Sequence, residues 1–192
     1  MNVIPQRVPL FFSSPKATDP IRYVGPSAHD LLVQATFDFR IRGIGYVDVL
    51  PLDCRPVRVA APVMEREEGM SVVLLNGMHP DRDAEEGLVA EAIAAAGLGI
   101  ERVSPAELGR EPLATTARVV WRQRHVSVDP AMRLALAAAF DDEATLTVGE
   151  LCSRVSGPRD PVFAIMALAC ETLLHLDLSR GFDRETTVRG PR

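Results

Sequence analysis

Apolar positions recur along this chain with two periods, and the changes between them mark out its elements. After Ser27, which offers a helix N-cap, the stretch His29-Asp30-Leu31-Leu32-Val33-Gln34-Ala35-Thr36-Phe37 repeats its apolar residues at helical spacing, predicting a first helix over 27–39. Gly43 and Gly45 close it, and 44–52 reads as a short extended segment. Two strands are predicted over 55–64 and 70–75, joined by the charged turn Glu65-Arg66-Glu67-Glu68-Gly69 into a hairpin. Ser71-Val72-Val73-Leu74-Leu75 is nearly all apolar, as a strand covered on both faces requires. A helix over 84–96 ends at Gly97, a strand follows over 99–103, and Ser104-Pro105-Ala106-Glu107 has the capping pattern of a short helix over 105–110.

The last third changes character. Asp129-Pro130 starts a helix through Phe140, Thr147-Val148-Gly149-Glu150 is a capping box that starts a second, and Asp160-Pro161 starts a third through about Leu174. Segments 174–179 and 186–189 then pair as a small hairpin around Gly181, and helix, short helix, helix, hairpin is the order of a winged-helix module. At the other end Pro5, Pro9, Pro15, Pro20 and Pro26 exclude regular helix over 1–26, so an extended arm is expected there, with 8–12 its adhesive part. The expected organisation is an arm over 1–26, an α/β domain over 27–125 and the winged-helix-like module over 126–192.

Composition narrows the chemistry. One lysine, Lys16, stands against twenty arginines, and it lies in the proline-rich lead-in. Mechanisms that need a lysine inside a folded site, such as a P-loop or a Schiff base, are therefore disfavoured. Arginine-rich, lysine-poor usage is also what a GC-rich genome produces. A net charge of -5 argues against holding nucleic acid by bulk attraction. No apolar run is long enough to span a bilayer, and a soluble cytoplasmic protein is expected. Cys54, Cys152 and Cys170 form no CxxC pair and fit neither a zinc site nor a disulfide framework.

The order of elements from residue 27 onward, with its best local match over 97–108, resembles the TnsA-like transposon endonucleases and their relatives in the PD-(D/E)XK nuclease superfamily. The resemblance implies a restriction-endonuclease-like mixed sheet with flanking helices. It also implies carboxylates holding magnesium or manganese beside a scissile phosphate, with a lysine that orients the attacking water. Carried onto this chain, the first-helix acid falls on Asp30. The hairpin aspartate falls near Pro62 and the acid-x-lysine pair on Leu74 and Asn76, so the implied site lacks its essential groups. The expectation is a catalytically degenerate fold without a cofactor, acting as a binding or assembly protein.

Two clusters keep other functions open. His79, Asp81, Asp83, Glu85 and Glu86 follow the apolar strand at spacings from which a loop binds a divalent ion, so Asp30, His79, Asp81 and Asp83 form the alternative metal site of a relocated nuclease. The same acids also suit the positive end of a helix dipole. Arg118, Arg122, Arg124 and His125 flank the only tryptophan, Trp121, a pattern that grips phosphates and stacks a base, or else covers a packed seam with arginine stems. The expected third helix of the terminal module, 162–173, carries no basic residue and so lacks what a DNA-reading helix uses. It reads as buried on most sides, which favours a module that binds protein, a homodimer included. No GxSxG elbow is present, and none of the four histidines, His29, His79, His125 and His175, has an evident partner nucleophile.

Overall fold

The computed structural model describes residues 10–76, 83–155 and 160–190, with the side chains of 83–85 outside the description. Within it the chain is a mixed α/β protein of two compact units, one formed by residues 1–35 and 40–108, the other by 36–39 and 109–192. The second unit therefore begins upstream of the expected boundary at 126. Among the described residues no helix is long and apolar enough to cross a membrane.

The first unit opens with a two-stranded antiparallel hairpin, β1 (Leu10–Phe12) and β2 (Ile21–Tyr23), where an extended arm was expected. Phe12 and Ile21 are buried, which is why this proline-rich segment docks. Its lone lysine has a structural task. Lys16 Nζ donates to the Ala35 carbonyl at 3.2 Å, in the last turns of helix α1 (Pro26–Phe37), and the Lys16 carbonyl accepts from the Ile44 amide at 2.8 Å. A cation at a helix C-terminus meets orphan carbonyls and the negative end of the dipole.

The main sheet has four strands in the order β3 (Gly43–Leu52), β4 (Arg55–Arg66), β5 (Gly69–Leu75), β6 (Gly99–Val103). The first three form an antiparallel meander, and β6 runs parallel to β5 after the crossover helix α2 (Asp83–Ala95). A parallel pair needs such a crossover. Val89, Ala92 and Ile93 recur at helical spacing on the buried side of α2. Val89 and Ile93 join Val59, Ala61, Val63 and Val72 in one apolar cluster, with Leu50, Val57, Leu74 and Ile100 packed at its edge. Ile44, Met64 and Val73 are buried on the alternate positions, so the central strands are covered on both faces. The short helix α3 (Pro105–Leu108) ends the unit, and its Leu108 carbonyl accepts from Gln34 Nε2 at 2.8 Å.

A β-bulge divides the long β3–β4 ribbon. Val59 and Ala60 face the single residue Asp48, with Ala60 at φ 51°. Beyond it the ribbon bends so that Leu50 and Val57 rest on the cluster. At its tip Pro51 faces Pro56 next to the two-residue turn. In the alternation of antiparallel pairs this is a non-hydrogen-bonded pair, whose N–H groups would point outward. Two prolines there remove the outward donors and blunt both edges.

The turn itself is Asp53-Cys54, with φ 45° and 64°, the type I′ sign pattern that favours Asp-Gly. Replacing Cys54 by glycine is therefore expected to stabilise the first unit by about 0.5–1 kcal/mol, because the left-handed penalty of a side chain exceeds the added chain entropy. The urea midpoint reads this, and a lower midpoint contradicts it.

The second unit centres on helix α7 (Pro161–Cys170), with 164–170 all buried. Around it pack α4 (Leu113–Trp121), the 3-10 turn Arg122–His125 that continues α4, α5 (Pro130–Ala138) and α6 (Val148–Arg154). A helix apolar on every side has to be enclosed in this way. Short strands β7 (Thr145–Thr147), β8 (His175–Leu176) and β9 (Thr187–Arg189) form a small antiparallel sheet in the order β7-β9-β8. The expected hairpin thus acquires a third strand. The expected third helix stops short at Cys170, with Thr172 at φ 60° just beyond.

Candidate functional site

Three regions bear on function. The first is the distal end of β5, where the resemblance asks for acids and a lysine. Leu74 lies on β5 and packs against the apolar cluster under α2, one residue before Leu75 and two before Asn76, whose amide donates to the Val103 carbonyl at 2.9 Å. Pro62 lies on β4 between buried Ala61 and Val63. These positions serve strand pairing and packing. A carboxylate at Leu74 would stand against valines and isoleucines.

Asp30 lies on α1 with its side chain 13% exposed, and its Oδ1 is 4.0 Å from His29 Nδ1. The His29 ring sits between Phe12, edge-on at 5.9 Å, and Tyr23 at 5.4 Å, so it ties the β1–β2 hairpin to α1. Lys16 is engaged at the Ala35 carbonyl.

The second region is the acidic segment before α2. His79 and Asp81 lie outside the described residues, as does the side chain of Asp83, the first residue of α2. Glu86, at the other end of that cluster, pairs with Arg102 of β6 at 3.2 Å. Among the described residues, no group of three His, Cys, Asp or Glu side chains stands close enough to hold a metal ion.

The third region is the basic segment. Trp121 does not offer its face to a base: it is 6% exposed and meets Phe37 edge-to-face at 6.2 Å. Arg124 folds back over it, with Cζ 5.3 Å from the ring centroid and Nη1 donating to the Trp121 carbonyl at 3.1 Å. Stacking by Trp121 is thereby corrected to packing. Arg118, Arg122, Arg124 and His125 are all exposed. Beneath them the Cys170 thiol donates to the Val120 carbonyl at 3.3 Å, and burial pushes its pKa up to about 12, which makes it a core group and no nucleophile.

Helix α7, expected to be buried on most sides, is enclosed. Its buried face is covered by helices of its own unit, and only Phe163, at 51%, is a large apolar side chain exposed on it.

A polar bridge across the sheet went unread in the sequence. Arg66, half-buried at the end of β4, donates through Nη1 to Ser71 Oγ of β5 at 3.0 Å and pairs through Nη2 with Glu101 of β6 at 2.9 Å. One guanidinium thus ties three strands. Ser71 and Glu101 alternate with buried Val72 and half-buried Ile100, and that alternation is the only trace it leaves in the sequence.

Two carboxylates of the second unit are held ionised. The Ser179 hydroxyl and amide donate to Asp177 at 2.6 and 3.1 Å and lower its pKa, and the Thr147 amide and hydroxyl do the same for Glu150 at 2.6 and 3.0 Å. A folded pKa below the unfolded one adds stability above the ordinary carboxylate range and loses it as pH falls through the folded value. Melting temperature is therefore expected to drop as pH falls from about 4 downward, less steeply in Asp177→Asn; equal slopes contradict the assignment.

The chain matches no protein-family model, and it matches no curated protein.

Proposed function

We propose that this chain is a catalytically silent protein built on a PD-(D/E)XK-like nuclease core and a winged-helix-like module, and that it works by binding or assembly. The order α1, antiparallel β3–β4–β5, α2, then β6 parallel to β5 supports the nuclease-like reading. In the second unit the order α5, β7, α6, α7, β8, β9, with β9 between β7 and β8, supports the winged-helix reading. One observation carries the functional conclusion. The positions at which the resemblance requires an acid and a lysine hold Leu74 and Asn76, and Leu74 is part of the packed sheet.

The enclosed α7 fits a module that meets protein in preference to reading base edges. Leu134 of α5 (72%), Phe163 of α7 (51%) and Leu173 just beyond it (41%) are the large apolar side chains exposed among the described residues of 126–192. A second copy is the simplest such partner; a monomeric mass by light scattering at micromolar concentration removes it and leaves a different protein.

Supercoiled plasmid incubated with magnesium or manganese tests the silent reading. The expected result is no nicking beyond that of an Asp30→Ala variant. Cleavage lost on Asp30→Ala, Asp81→Ala or Asp83→Ala overturns it in favour of a metal-dependent nuclease with a relocated site.

A further inference from the structure

The main sheet ends differently on its two sides. Along β3 the edge is engaged: the Ile44 amide donates to the Lys16 carbonyl of the lead-in at 2.8 Å, and Pro51 removes a donor near the ribbon's tip. The β6 edge has neither device. The Asn76 amide donates to the Val103 carbonyl at 2.9 Å, which turns the Val103 backbone toward β5. Backbone groups alternate along a strand, so Gly99 and Glu101 face β5 as well, and the N–H and C=O groups of Ile100 and Arg102 face away from it. Among the described residues no hydrogen bond reaches those four outward groups, and β6 contains no proline. Such an edge is a template for another strand.

Its side chains do not keep a strand away. Arg102 is held by Glu86 of α2 at 3.2 Å and Glu101 by Arg66 at 2.9 Å, so each charge on the edge is matched within its own unit. Leu98 and Ile100 pack against the apolar cluster but are only half-buried. A two-fold axis through Ile100 suits both facts. In the antiparallel pair it generates, Ile100 lies opposite its own copy and exchanges two N–H···O=C bonds with it. Leu98 then lies opposite Arg102, whose aliphatic stem covers it, and Gly99 lies opposite Glu101. Apolar surface meets apolar surface and no like charges stand opposite one another. An axis moved to Glu101 or to Arg102 sets like charges face to face, which is unfavourable.

We infer that the outer edge of β6 is a self-association surface, on which a second copy of this chain lays its own β6 antiparallel about Ile100, so that two four-stranded sheets become one continuous sheet. The inference goes beyond the assembly reading above, whose exposed Leu134 and Phe163 lie in the second unit. It does not depend on the silent nuclease site.

Sedimentation equilibrium of the full chain across the micromolar range tests it, and a dimer mass is expected. Ile100→Pro deletes the outward N–H and no bond to β5, a replacement that an edge strand tolerates. Ile100→Ala trims the side chain and keeps that N–H. The proline variant is expected to dissociate roughly tenfold more readily than the alanine variant, since two intermolecular bonds are lost per dimer. Should circular dichroism show Ile100→Pro unfolded, the same comparison is made with Arg102→Pro and Arg102→Ala, at an exposed position whose N–H also points outward. A monomeric mass throughout overturns the proposal together with self-assembly. A dimer equally stable in the proline and alanine variants, but dissolved by Leu134→Asp, overturns the proposal and leaves the assembly reading standing.

Discussion

Replacing Ile165 by alanine is expected to destabilise the second unit by about 2–5 kcal/mol, measured as a lowered urea midpoint with an unchanged denaturant slope. Ile165 is fully buried in α7, amid a run from Ala164 to Cys170 in which every residue is buried. The helices around α7 approach it from several sides, so no single neighbour can move in to fill the space. Poor collapse puts the cost toward the upper part of that range. Phe163→Ala, on the same helix but 51% exposed, is the control and is expected to cost far less. Equal effects of the two substitutions would contradict the enclosed position of α7.

Val72→Asp is expected to prevent the first unit from folding. Val72 is fully buried on β5, opposite Val63 of β4 and beside Ile100 of β6, inside a cluster with no charged member. An aspartate there must either ionise without a partner or bury a protonated acid without one, at a cost of several kcal/mol. A typical domain has about 5–15 kcal/mol in all. Loss of strand signal in circular dichroism and rapid proteolysis of the first unit are the expected readouts. Val72→Ala removes volume without adding charge and is expected to remain folded; if Val72→Asp behaves like it, the cluster is wetter than its geometry says.

What could be read beforehand was local. The capping boxes Ser104/Glu107 and Thr147/Glu150 form as their spacing predicts, with the glutamate accepting from the cap amide and the cap hydroxyl accepting in return. Asp129 and Asp160 cap α5 and α7 through the amides of Ala131 and Val162. Strand β6 falls on 99–103 because Gly97 and Ser104 bracket it. Each of these signals lies within four residues of the structure it produces.

What could not be read depends on partners far along the chain. Strand β7 is three residues flush against the capping Thr147, too short for a period, and exists because Val188 comes to lie beside Leu146. Pairing of β3 with β4 spans a bulge that no alternation marks. Trp121 among arginines looks like an exposed aromatic until Phe37 arrives from the end of α1. The candidate site divided the same way: losing acids and lysine from a motif is visible in a list of residues, whereas the bridge from Arg66 to Ser71 and Glu101 depends on three strands lying side by side.

Lys16 fastens the lead-in to the end of α1 and to β3, and the sequence has no other lysine. A lysine-specific protease therefore addresses one side chain, whose ammonium is already occupied by a carbonyl. The rate of cleavage becomes a clock for the opening of that junction. The folded first unit thus carries its own single-site reporter, usable without introducing any label.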